Sequence, residues 1–247
     1  MTAHPNGRSS ANEAVQARGR DSLKPDRSVN GHRRRGMSTT NGSMREKILR
    51  TAARLFMKYG YGGTSMADIG AAVKLTKGSL YHYFPGKSDI LYEIYGGIVD
   101  EISIRVDRHD RGLPAEDRLR QLVRDVLEVI AEHPAELAVY LQESPHLATQ
   151  LPRRQFNELR RGEDRFTKYV IDLVRLGVEQ NRLREVDPQL AALAVIGMVA
   201  WASRWYAYME GADIERITDV FTDIALRGLG SEAVVKSLSE PGRATSA

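Results

Sequence analysis

Cysteine is absent from this chain of 247 residues. Without thiols the protein can form neither structural disulfides nor thiolate zinc sites, and it has no cysteine nucleophile. Disulfides are typical of oxidising compartments, so a chain without them is expected in the cytoplasm. The composition excludes the cysteine-dependent classes of enzyme.

Long hydrophobic runs are also missing. The longest wholly apolar stretch covers residues 190–202, which is short of the roughly 18 to 20 residues that a membrane-spanning helix needs. We expect this stretch to form a buried helix, and we expect no membrane partner.

Catalytic and cofactor motifs are missing as well. The six histidines show neither the HxxxH nor the HExxH spacing of a zinc site, and there is no glycine-rich phosphate loop. No nucleophile has a plausible base beside it. We therefore expect no catalytic residues, no metal site and no cofactor.

Charge is present but unevenly distributed, although the formal net charge is only +4. Residues 1–43 and residues 44–90 each contain eight basic and three acidic residues, whereas residues 91–247 contain 20 basic and 26 acidic residues. Such asymmetry indicates an anionic polymer as the partner of the N-terminal part.

The two ends of the chain are predicted to lack structure. Residues 1–43 have too few large aliphatic side chains to offset the entropy of ordering, so we predict a disordered basic tail. The arginines of this tail are either solvated chain or an arm that touches DNA without sequence preference. Residues 231–247 are predicted to be a flexible C-terminal tail.

Between these ends, apolar residues recur at helical spacing and no convincing alternating strand appears, which predicts an all-α fold of about nine helices. The first helix is predicted over residues 44–59. Thr64 and Ser65 are predicted to cap a short second helix, and Thr76 a third that ends at Pro85. Two short helices joined by a tight turn have the layout of a helix-turn-helix.

The third helix has two different sides. At 100° per residue, Leu80, Tyr83 and Phe84 fall together and are expected to pack inward. The outward side carries small, polar residues: Gly78, Ser79, Tyr81 and His82, with Lys77 at the start of the helix. Such a surface suits a negatively charged groove.

The segment TSMADIGAAVKLTKGSLYHYFPGKSDIL, residues 64–91, resembles the DNA-binding segment of the TetR family of transcriptional regulators. The signature Leu-Tyr-x-x-Phe stands at Leu80, Tyr81 and Phe84. Just before Lys87, where the family often has serine, this chain has Gly86. The resemblance implies a nine-helix homodimer whose recognition helices enter the major groove of a palindromic operator. It also implies a second domain that binds a small molecule and dimerises through the last two helices.

By position, the resemblance also implies which residues contact double-stranded DNA. Thr64 and Lys87 are expected on the DNA backbone, and Lys77 and Tyr81 on base edges, which specify sequence. The full set of expected DNA-binding residues is Thr64, Thr76, Lys77, Gly78, Ser79, Tyr81, His82 and Lys87.

A weaker resemblance extends to the ligand domain of the branch that senses acyl-CoA thioesters, including regulators of fatty-acid and steroid catabolism. It rests on the residues of segments 139–143, 177–183, 197–198 and 204–206 and on Leu147. The ligand-binding residues expected are Tyr140, Glu143, Phe166, Tyr169, Val170, Trp201, Arg204 and Trp205.

Alternatives stay open for several of these residues. The aromatic side chains either line a ligand pocket or belong to an ordinary core. Arg204 is either a partner for an anionic ligand group or half of a structural ion pair with Glu143. The apolar helix at 190–202 is assigned, with the final helix, to a dimeric four-helix bundle.

These features predict a ligand-responsive repressor. We expect a basic tail at 1–43, a DNA-binding domain at 44–90, a ligand-binding and dimerisation domain at 91–230, and a tail at 231–247. Two other classes stay open: an all-α enzyme acting on acyl thioesters, and an architectural DNA binder without a ligand response.

Overall fold

The computed structural model describes residues 39–206, 208–209 and 211–239. These residues contain no strand, and their one β feature is an isolated bridge between Leu183 and Gly230. The all-α prediction is confirmed. The helices are α1 (Thr39–Gly63), α2 (Met66–Val73), α3 (Lys77–Tyr83), α4 (Lys87–Asp107), α5 (Ala115–Glu132), α6 (Pro134–Glu143), α7 (Leu147–Gln150), α8 (Arg153–Glu179), α9 (Pro188–Tyr206), α10 (Ile214–Leu229) and α11 (Glu232–Ser239).

Helices α1, α2 and α3 form a small helical unit that we call the reading head. Its core is built from side chains that are at most 1% exposed: Ile48, Ala52, Ala53, Phe56, Ile69, Leu80 and Phe84. Burying apolar surface of this kind is the main source of folding free energy. Leu80 and Phe84 lie inward as predicted, which turns the opposite side of α3 to solvent.

Side-chain caps set the ends of the two short helices. The Ser65 hydroxyl accepts a hydrogen bond from the Asp68 backbone N–H at 3.1 Å, and the Asp68 carboxylate accepts one from the Ser65 N–H at 2.8 Å. This reciprocal pair satisfies donors that a helix start leaves free. Hydrogen bonds that the Ser65 hydroxyl and backbone N–H donate to the Asp68 carboxylate lower the pKa of Asp68. Lys74, at φ 60°, ends α2, and Thr76 caps α3.

Helix α4 belongs to two apolar cores. Ile90 and Leu91 pack with the reading head, whereas Ile98 and Val106 pack with the helices that follow. The second core is formed mainly by α5, α8 and α9, with one buried leucine, Leu226, from α10. A single stiff helix therefore connects the reading head to the C-terminal helices.

The structure corrects the predicted ends of the folded region. Helix α1 begins at Thr39, inside the predicted tail at 1–43, while residues 1–38 lie outside the described residues. Helices α7 and α11 were not predicted, and α11 occupies part of the predicted tail at 231–247. Val234 of α11 is only 4% exposed, so packing stabilises a helix that is too short to form alone.

In the part of the chain that the structure describes, no helix combines the length and the apolarity that crossing a membrane requires.

Candidate functional site

The outward side of α3 is an exposed polar surface. Ser79 donates its backbone N–H to the Thr76 hydroxyl at 3.2 Å, which fixes the start of the helix. Tyr81 is 42% exposed, and the Lys77 ammonium lies 5.9 Å from the centre of its ring. Six of the eight predicted DNA-binding residues lie together on this exposed surface: Thr76, Lys77, Gly78, Ser79, Tyr81 and His82.

The structure gives Thr64 and Lys87 a different role from the predicted phosphate contacts. Thr64 is only 2% exposed, and its hydroxyl donates to the Gly60 carbonyl at 3.0 Å. The Lys87 ammonium donates to the carbonyls of Tyr61 and Thr64 at 2.6 and 2.8 Å. Burial lowers the pKa of Lys87, an effect that the Glu143 carboxylate partly offsets. Both side chains therefore hold the turn before α2.

An apolar cavity of about 250 Å³ lies among α4, α5, α6, α8 and α9. Most of its walls are aliphatic, which suits a hydrocarbon group. Its lining residues are Val99, Ile102, Val126, Ile130, Leu137, Tyr140, Leu141, Arg160, Glu163, Phe166, Thr167, Ile196, Val199 and Ala200.

A polar cluster around Glu163 forms part of the cavity wall. The Glu163 carboxylate accepts hydrogen bonds from the hydroxyls of Tyr140, at 2.8 Å, and Tyr95, and it pairs with Arg160 at 2.8 Å. The rings of Tyr95 and Tyr140 are stacked, with centroids 4.1 Å apart. Burial raises the pKa of both phenols.

Sequence reasoning missed Tyr95, Arg160 and Glu163. These residues lie on two helices, α4 and α8, and meet Tyr140 of α6 only in the folded protein. The nearest available signal was the Arg-x-x-Glu spacing of Arg160 and Glu163, which places both on one face of a helix. That spacing is common on solvated helices, so it does not by itself indicate a cavity.

The eight predicted ligand residues are not one site. Tyr140 and Phe166 line the cavity, and Val170 is a fully buried core residue next to it. Trp205 packs against the ring of Phe221, with centroids 6.3 Å apart. The prediction of a single aromatic ligand site is therefore corrected to two lining aromatics within a mostly aliphatic wall.

Trp201 and Arg204 lie on the outer face of α9, outside the cavity. Trp201 is 63% exposed, and the Arg204 guanidinium lies 5.6 Å from the centre of its ring. Glu143 instead accepts hydrogen bonds from the Tyr61 backbone N–H, at 3.3 Å, and the Gln150 side chain, at 2.6 Å. Of the two alternatives for Arg204, the structural ion pair with Glu143 is therefore not formed.

Tyr169 belongs to a separate buried cluster at the end of α4. Its hydroxyl lies 2.9 Å from His109 Nδ1, and His109 Nε2 lies 2.6 Å from the Asp125 carboxylate. The adjoining polar cavity, about 390 Å³, has walls of both charge signs, and Arg105 there pairs with Glu101 and Glu128. We assign this cluster to the packing of α4 on α5 and α8.

Across residues 39–206, 208–209 and 211–239, no group of three or more histidine, aspartate or glutamate side chains is placed to hold a metal ion.

Two sequence families match the two parts of the chain. Residues 48–94 match the family described as bacterial regulatory proteins, tetR family, and residues 112–229 match a tetracyclin repressor-like C-terminal domain. The HTH-type transcriptional repressor KstR2 of Mycobacterium tuberculosis is 30% identical over 195 residues, which are 78% of this chain and 96% of that protein. The chain belongs to the TetR family of transcriptional regulators.

Solved structures of similar proteins have the same fold. The ketosteroid transcriptional regulator KstR2 of Mycobacterium tuberculosis superposes with a TM-score of 0.70 at 26% identity, covering 76% of this chain and 95% of that one. AibR, solved in complex with isovaleryl coenzyme A and operator DNA, has a TM-score of 0.62 at 25% identity. The match covers 73% of this chain and 97% of the AibR chain. The predicted family, and its DNA-binding regulatory function, are confirmed.

Proposed function

We propose that this TetR-family protein is a repressor that binds a palindromic operator as a homodimer and is released by the acyl thioester of coenzyme A. The observation that carries the proposal is the double role of α4. Val99 and Ile102 of this helix line the cavity, whereas Ile90 and Leu91 pack in the core of the reading head. A ligand that displaces α4 therefore moves the surface of α3.

On the DNA side, α3 is the recognition helix. We assign Lys77 and Tyr81 to base edges, where contacts specify the sequence. We assign Thr76, Ser79 and His82 to phosphates, where contacts set the register of the protein on the DNA. A dimer reads two half-sites when its recognition helices lie about 34 to 36 Å apart, one turn of DNA. A ligand that changes this spacing weakens operator binding.

On the ligand side, the cavity selects the acyl group. Its volume of about 250 Å³ falls below the roughly 300–1,000 Å³ of pockets that hold drug-sized molecules. A whole coenzyme A thioester is larger than this space, so the acyl group enters and the nucleotide stays outside. KstR2 is named a ketosteroid regulator and AibR is solved with isovaleryl coenzyme A, which supports an acyl thioester as the ligand class.

The dimer interface is assigned to α9 and α10. Both helices carry large apolar side chains that are about half exposed or more in the single chain: Leu190, Leu193, Trp201, Val220 and Ile224. A continuous apolar face of this kind is typical of a protein–protein interface. The symmetric contact of two identical faces gives the closed dimer that a palindromic operator requires.

This proposal keeps the division into a DNA-binding domain at 44–90 and a ligand-binding and dimerisation domain at 91–230. The protein acts on DNA in the cytoplasm, and ligand binding includes no catalytic step.

Fluorescence anisotropy of the purified protein on its own upstream promoter DNA tests this function. The labelled duplex is titrated at fixed salt, because phosphate contacts make affinity salt-dependent. Acyl-CoAs of increasing size, each with its free acid as a control, are then added. Release by one thioester and not by its acid is expected. Tight binding that no thioester disturbs would contradict the proposed ligand class.

A further inference from the structure

Helix α6 joins the cavity to the reading head. Leu137, Tyr140 and Leu141 of this helix line the cavity. Glu143, which ends α6 one turn after Tyr140, is only 6% exposed and turns away from the cavity. One of its carboxylate oxygens accepts the Tyr61 backbone N–H at 3.3 Å. The last residue of a cavity helix therefore contacts the reading head directly.

The contacted turn, residues 60–64, leads into α2. Its first residue, Gly60, has a φ of 76°, which favours glycine and interrupts the helical path of α1. In the next peptide group, the carbonyl of the same residue, Tyr61, accepts a hydrogen bond from the ammonium of Lys87, the first residue of α4. The turn is thus held by a carboxylate from α6 and by an ammonium from α4.

Glu143 has other supports as well. Its second oxygen accepts from the Gln150 side chain at 2.6 Å, which anchors it to α7. A buried carboxylate is costly to leave without donors, and its hydrogen bonds are stronger than those of neutral groups. Because the buried Glu143 carboxylate cannot be exposed cheaply, a shift of α6 takes the turn with it.

We propose that Glu143 is a positioning residue that transmits occupancy of the cavity to the reading head through turn 60–64. This inference rests on the proposed function, since it requires that a filled cavity weakens operator binding. It assigns part of the coupling to a direct contact between α6 and the turn, in addition to the path through α4. Glu143 touches neither the cavity nor the exposed surface of α3.

The test uses a filled cavity in place of an unidentified ligand. Ala200 of α9 lines the cavity. In the variant A200F, the phenylalanine side chain is expected to fill part of the cavity. Operator affinity is measured by anisotropy on a duplex selected by the wild-type protein from a random-sequence library. The same A200F change is then made in the E143A and E143Q backgrounds. E136A serves as the matched control, because Glu136 lies on α6 but its side chain forms no hydrogen bond or ion pair in the described residues.

We expect A200F to weaken operator binding about tenfold in the wild-type and E136A backgrounds, within the usual range of allosteric coupling. In E143A the same change is expected to have less than a twofold effect. E143Q keeps an acceptor for the Tyr61 N–H, so an intermediate loss of coupling is expected. Merely structural damage would lower all affinities by a common factor and leave the ratio unchanged.

Two results have different meanings. If A200F does not weaken operator binding in the wild-type background, the proposed function is wrong, because filling the cavity is then without consequence. If A200F weakens binding equally in the wild-type and E143A proteins, the role of Glu143 is wrong and the repressor function stands.

Hydrogen exchange provides a second measurement that needs no Glu143 variant. Exchange of the Tyr61 amide is compared between the wild-type protein and A200F. A changed exchange rate in turn 60–64, with no change around the capped start of α2 at Ser65, is expected. An unchanged rate at Tyr61, in an A200F protein with weakened operator binding, would overturn the proposal even if E143A failed to fold.

Discussion

The recognition surface and the cavity of this protein are built in opposite ways. The residues of the recognition surface come from one short segment, 76–82, and local caps fix their positions. The residues of the cavity come from five helices, and the first and last of them, Val99 and Ala200, are far apart in sequence. A site of the first kind is specified locally, whereas a site of the second kind exists only once the helices have packed.

Substitutions in the two regions are therefore expected to have different effects on folding and on DNA binding. Apart from the cap residue Thr76, changes on the surface of α3 leave the fold intact, because those side chains face solvent. Changes in the C-terminal helices can reach the DNA through the dimer and through α4 and α6. The comparison therefore predicts that the larger effects on DNA binding arise far from the DNA.

The first test changes the C-terminal region and measures DNA binding. W201D places a charge on the exposed apolar face of α9, where Trp201 is 63% exposed. We expect the dimer to dissociate and operator affinity to fall on the order of 10²-fold or more, because a monomer loses the second recognition helix. Sedimentation analysis gives the oligomeric state, and anisotropy gives the affinity.

A matched control separates this effect from added charge alone. Ile104 is 46% exposed on α4, outside the proposed interface. I104D is expected to remain dimeric and to keep its operator affinity. A W201D protein that sediments as a dimer would show that the interface lies elsewhere.

The second test changes the recognition surface itself. Y81A removes a side chain that is 42% exposed on α3 and is assigned to a base edge. A lost base contact is worth about 1–3 kcal/mol, so specific affinity should fall roughly 10- to 100-fold while non-specific binding persists. Competition with unrelated DNA measures this ratio. Y59A, which removes another exposed tyrosine from α1, is the control, and unaltered specificity in Y81A would refute the assignment of α3.

The reading head could be predicted from sequence because its signals are local. Ser65 with Asp68 and Thr76 with Ser79 are caps separated by three residues, and such spacing is readable along the chain. The inward position of Leu80 follows from helical periodicity alone. Local geometry therefore determines most of the recognition surface.

The cavity and the contact at turn 60–64 could not be predicted in the same way. Glu163 meets Tyr95 over a separation of 68 residues, and Glu143 meets Tyr61 over 82 residues. Thr64 and Lys87 have residue types suited to phosphate contacts, but packing turns them onto the backbone of the turn. Which partner a polar side chain finds is decided by the arrangement of whole helices.

Stability provides a smaller test of local control in the reading head. S65A removes the side-chain half of the capping box of α2, since the hydroxyl that accepts the Asp68 N–H is lost, whereas the backbone N–H of residue 65 can still donate to the Asp68 carboxylate. We expect a loss of about 1 kcal/mol in the free energy of unfolding, the usual value for a helix N-cap. Urea denaturation measures it. A loss of operator affinity much larger than this would show that Ser65 also contacts DNA.

The smallest expected effect is a gain at the start of α4. Gly86 occupies the N-cap position but supplies no side-chain hydrogen bond, and its φ of −160° is extended backbone that serine can adopt. A Cβ there would lie 3.5 Å from the Asp89 carboxylate, which is ordinary contact. G86S is therefore expected to stabilise the protein by a few tenths of a kcal/mol, because serine caps slightly better than glycine. G86A adds the Cβ without the hydroxyl, so it should be less stable than G86S in the same urea titration. If G86A and G86S were equally stable, the gain would come from the unfolded chain and the missing cap would have no effect on α4.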